Sequence, residues 1–164
     1  MLFSSGCGQS SNPYKELAKM YKPQPFKDVT LSPKYNFSSF TGTVWKTKVK
    51  VAIVEVRLYT GAYETCLRYW DEADPDYVAG PEDDVVAVLA ANARLRIERL
   101  MQDQGVAGFF QVEAVLEDGT NAQKAVYLDP DLLAGNKWSG RRPETISITN
   151  WGVNPDMLEA AETP

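Results

Sequence analysis

The chain has 164 residues, 44% hydrophobic and 24% charged, and contains no histidine. That length is the ordinary size of one domain and buries enough surface to stand without a metal or disulfide staple. The missing histidine excludes Ser-His-Asp and Cys-His catalysis, histidine metal sites and histidine pH switching.

The net charge of −5 conceals a polarity along the chain. Residues 1–60 carry nine Lys/Arg against three acids, whereas residues 61–164 carry eight against nineteen. Such asymmetry marks either an interaction segment or two halves that pair with each other in the fold. The acidic balance argues against nucleic acid as the main partner, since phosphate binding needs a dominant basic field.

The chain begins Met1-Leu2-Phe3-Ser4-Ser5-Gly6-Cys7-Gly8, followed by a Gln/Ser/Asn/Pro stretch to Pro13. Ser5-Gly6-Cys7-Gly8 with its polar linker resembles the junction between a bacterial lipoprotein signal and the mature tail. The resemblance covers about ten residues, and Ser4 stands where that family usually has leucine. It implies that Cys7 is a lipid anchor, that residues 1–13 are a flexible tether to the membrane, and that the protein lies in the cell envelope. Leu2-Phe3 is shorter than the apolar run of about 7–15 residues a signal needs, so the resemblance implies an upstream signal or is accidental. Without the tether the expected location is cytoplasmic. Residues 14–164 are expected to form a single β-rich domain.

Within that domain, residues 14–21 read as two helical turns ended by Pro23 and Pro25. Residues 26–41 read as an extended loop laid on the core. From Gly42 to Leu58 the residues alternate, with Trp45, Thr47, Val49, Val51 and Ile53 on one face and Lys46, Lys48 and Lys50 on the other, which predicts a long, bent strand. Tyr63–Trp70 is its hairpin partner. An acidic loop over 71–84 follows, and Pro81 with three acids behind it predicts a helix start that continues through Ala91.

Residues 92–101 fit either an extension of that helix or a strand after a left-handed turn at Asn92, the second being preferred. Gly108–Leu116 alternates as a strand. Asp118-Gly119 predicts a two-residue turn that would set Glu113 opposite Lys124 on a partner strand over 121–128. Asp129 should cap one helical turn. A loop over 135–143, a strand over 145–149 and a last turn at Pro155 complete the chain. The pattern predicts a mainly β fold, with α+β as the variant: a small antiparallel β-barrel or sandwich of about six strands with short helices.

Three constellations could carry function. Asp71, Asp74 and Asp76 supply oxygen ligands suited to calcium, although their spacing is not that of an EF-hand. The same acids could serve a carboxylate enzyme, which needs no histidine. Lys46, Lys48 and Lys50 beside Trp45 could contact an anion, a glycan or a protein partner, or could simply guard a sheet face. Cys66, in an apolar stretch, reads as a small buried hydrophobe. No nucleotide, hydrolase-elbow or zincin motif occurs, and no cofactor is expected. The leading expectation is a non-enzymatic envelope lipoprotein domain with a binding or scaffolding role. The alternatives are a cytosolic or particle-associated structural subunit, and a carboxylate enzyme or calcium-dependent binder.

Overall fold

The computed structural model describes residues 26–57, 63–79, 83–103, 110–133 and 151–161. The expected tail, the helix over 14–21, the loop over 135–143 and the strand over 145–149 fall outside them. Nine strands form one sheet: β1 (Phe26–Asp28), β2 (Val44–Thr47), β3 (Val51–Arg57), β4 (Tyr63–Tyr69), β5 (Asp84–Leu89), β6 (Arg94–Asp103), β7 (Phe110–Leu116), β8 (Ala125–Leu128) and β9 (Leu158–Ala160). They run in the order β5-β3-β4-β8-β7-β6-β2-β9, with β1 added to β6. All ladders are antiparallel except β4 with β8. The single α-helical turn among the described residues, α1, spans Pro75–Val78. The fold is therefore mainly β, as the alternation dictates.

The long strand expected over 42–58 is β2 and β3 joined by a corner at residues 48–50. Residues 90–92 form a matching corner between β5 and β6. Ladder contacts run through both: Val51 faces Leu89, the Asn92 N–H donates to the Thr47 carbonyl, and Lys46 faces Arg94. Two bent ribbons thus lie antiparallel from Val44 beside Arg96 round to Glu55 beside Asp84. Asn92 takes φ 76°, the left-handed turn expected of it.

This arrangement bends the sheet. Five strand spacings separate β3 from β2 along the hydrogen-bonded path, about 24 Å if the sheet were flat. The chain from Thr47 to Val51 can reach at most ~14 Å. The sheet must curl, and its concave face holds one core: Val51 and Ile53 of β3, Leu67 of β4, Leu95, Ile97 and Leu100 of β6, Val112 and Leu116 of β7, Val126 and Leu128 of β8.

An aromatic group joins this core. Phe37 meets Trp151 edge-on at 4.6 Å, Tyr35 meets Phe110 at 4.9 Å, and the Trp151 indole donates to the Tyr35 carbonyl. Residues 26–41 do lie on the core, but they contribute β1 and a 3₁₀ turn at Phe37–Ser39 as well as loop.

Three expectations need correction. The sheet is not closed into a barrel: among the described residues β5 and β9 end its path, and nine strands stand where about six were expected. Over Asp84–Leu89 the helix expected from Pro81 through Ala91 is strand β5, because its valines are β-branched and Val85 and Val88 pair with β3. Finally, Glu113 faces Tyr127 and not Lys124. The chain between β7 and β8 is wider than two residues: it includes a 3₁₀ turn at Gly119–Asn121, and the Gln123 N–H donates to the Leu116 carbonyl. Asp118 is drawn to β6, where its carboxylate accepts from the Arg94 N–H.

Elsewhere the expected cap forms: the Asp129 carboxylate accepts from the Asp131 N–H. Asn154 accepts from the Asp156 N–H before Leu158 enters the core. That last turn leads into β9.

Asn92 tests the corner. Asn92→Gly should change stability by no more than a few tenths of a kcal/mol, whereas Asn92→Val should cost about 1–2 kcal/mol because a β-branched residue resists the left-handed region. Urea unfolding at an unchanged m-value measures both.

Candidate functional site

The convex face of the sheet carries a polar row fixed by strand register. Arg99 of β6 faces Glu113 of β7, Glu113 faces Tyr127 of β8, and Tyr127 faces Cys66 of β4. Glu113 is buried, and Arg99 donates to its Oε1 through Nε at 2.8 Å and Nη2 at 2.6 Å. Burial, and then the Glu113 and Glu64 charges, push the Tyr127 hydroxyl above its ordinary range. Beside the row, the Gln111 amide donates to Glu64 at 2.8 Å.

Arg68 of β4 anchors the neighbouring corner of this face. Its Nη1 donates to the Val78 carbonyl at 2.7 Å and to Asp83 at 3.4 Å, and its Nε lies 3.3 Å from Asp129. A cleft of about 300 Å³ opens there, lined by Arg68, Tyr69, Val78, Asp129 and Asp131. Burial raises the Asp129 carboxyl, opposed by the Asp131 N–H and by Arg68. Arg99 with Glu113, and Arg68 with Asp83 and Asp129, are opposite charges set side by side, which is how a sheet face is held together. The one thiol within it runs against nucleophilic use: burial pushes Cys66 up to about 11, whereas a reactive cysteine needs its thiolate stabilised. Cys66 is half-buried and belongs to neither apolar cluster, where a small buried hydrophobe was expected.

The lysine stripe is tied to the chain itself. Lys46 pairs with Glu159 of β9 at 2.9 Å, Lys48 donates to the Pro155 carbonyl at 2.7 Å, and Lys50 pairs with Glu72. The basic first part of the sequence therefore meets the acidic remainder partly inside the fold. In the acidic loop, Asp71 accepts from the Ala73 N–H, Asp74 is exposed with a partner of its own, and Asp76 lies in α1. Among the described residues, no three His, Cys, Asp or Glu side chains gather as a metal site. Cys7 lies outside them. Among them, too, no helix is long and apolar enough to cross a membrane.

The feature that the sequence reading missed is the edge strand β5. Val85, Val86 and Val88 are 41%, 45% and 44% exposed. The register slips between Ile53 and Val54, leaving Val86 as the extra residue, so Val85 and Val88 both fall on the convex face, opposite Val54 and Ala52. There they adjoin a small apolar cluster of Ala52, Val54 and Val78, packed by Val56 and Trp70. The valine content of residues 85–88 was the available signal for a strand. It was outweighed by the acids that imitate a helix start.

Cys66 gives a direct test of this face. In a Cys7→Ser variant, iodoacetamide should label native Cys66 about two orders of magnitude more slowly at neutral pH than the unfolded chain, and the rate should keep climbing toward pH 11. Because the unfolded thiol loses its proton first, stability should fall as pH rises from about 9 to about 11. Compared with protein-family models, with curated proteins and with solved structures, the chain gives no match in any of the three, so its reading rests on this geometry.

Proposed function

We propose that this chain is a non-enzymatic binding or scaffolding module whose contact surface is the outer edge of β5, which no described strand pairs. The supporting observation is a contrast between its edges. β9 and β1 are three residues long and carry Glu159 and Lys27 at their centres, the short charged edges that resist pairing. β5 has six residues, three exposed valines and no lysine or proline. The matched charges of the convex face favour a structural reading of the polar row over a chemical one.

A lysine on this edge tests the reading. In the native source, cross-linking should find the chain in a complex, and Val88→Lys should abolish the complex without altering the circular dichroism spectrum. A complex unaffected by the lysine, or a chain that is never cross-linked, overturns it.

The Ser5-Gly6-Cys7-Gly8 resemblance supports placing the module in the cell envelope, held to the membrane through Cys7. Mass spectrometry of the protein from its native source should find an acylated Cys7. An unmodified Cys7 in the soluble fraction overturns this placement and leaves the edge reading untouched.

A further inference from the structure

We infer that the occupant of the β5 edge is a second copy of this chain, paired strand to strand about a two-fold axis. The inference rests on the binding-module reading above and names the partner. In a regular strand, residues three apart point to opposite faces. The bulge at Val86 cancels that alternation and places Val85 and Val88 on the same convex face.

An antiparallel copy can then set Val85 of one chain opposite Val88 of the other, twice, with each valine meeting a valine on the same side of the joined sheet. The self-complementarity is what a two-fold interface requires, since one patch must serve as both halves. The charges agree with it. The acid on the strand, Asp84, lies at its N-terminal end, so the antiparallel arrangement sets each Asp84 beside the partner's Leu89 and keeps the two carboxylates at opposite ends of the ladder. A parallel copy in register would set them side by side, which is unfavourable.

The apolar patch also continues across the axis. Val85 and Val88 border Val54 and Ala52, so joining two edges merges two small convex clusters, each too small to form a core alone, into one. The N–H and C=O groups of the edge that no described strand pairs gain ladder partners in the same step.

Light scattering on the purified full-length chain across the micromolar range tests the inference. The expected result is a mass that rises to twice the monomer with concentration, and a self-association at least ~tenfold weaker in Val88→Lys, equivalent to about 1.4 kcal/mol. A monomer at every concentration overturns it, as does a dimer indifferent to the lysine. Should Val88→Lys fail to fold, hydrogen exchange on the wild type decides: β5 amide protection that rises with concentration supports the pairing, and protection independent of concentration overturns it. If the purified chain is monomeric while its native complex is still lost with Val88→Lys, the second-copy inference fails and the binding-module reading stands. If the native complex ignores the lysine, both fail.

Discussion

Between Thr47 and Val51 the chain turns one corner, and much of the architecture is a response to it. Those residues belong to strands that stand five ladder steps apart in the sheet, yet the covalent link between them is only three residues long. The sheet can satisfy both conditions only by wrapping round on itself. Once wrapped, it has an inside and an outside. The inside collects the aliphatic residues of β3, β4, β6, β7 and β8 into one core, and Phe37, Phe40 and Trp151 add an aromatic group to it. Part of the outside is a polar row ordered by Arg99, Glu113, Gln111, Glu64 and Arg68.

Bulges let the sequence keep faith with this geometry. In β6, Leu95, Ile97 and Leu100 all reach the core although the last step is three residues, because the register slips between Ile97 and Arg99. The same device in β5 carries Val85 and Val88 to the outer face. One slip protects the core, and the other exposes a patch. Local distortion of the ladder is thus where the core and the edge are each decided.

Much of this was legible from the residues. The alternation of Val51 and Ile53, of Phe110 through Leu116, and the turn at Asn92 identify strands and a corner directly, because period two and a left-handed Asn are local properties. Two things were not local. The partner of Glu113 depended on how Asp118 would be used, and it binds β6 instead of tightening a hairpin. The state of residues 84–89 depended on whether the acids after Pro81 would open a helix or the valines would pair with β3, and Val85 and Val88 pair. The edge was legible in composition, as a run of valines, but its exposure followed only from which strands find neighbours.

The parallel ladder between β4 and β8 bears on how the chain reaches this state. Cys66 and Leu67 meet Tyr127 and Leu128 across about 60 residues of intervening chain, a loop closure that earns no local reward on the way. The neighbouring ladders of β3 with β4 and of β6 with β7 join segments close in sequence and can form early. The β4–β8 seam needs both units already in place, so it belongs to the late, slow part of folding, in the millisecond-to-second regime of topologies dominated by distant pairings.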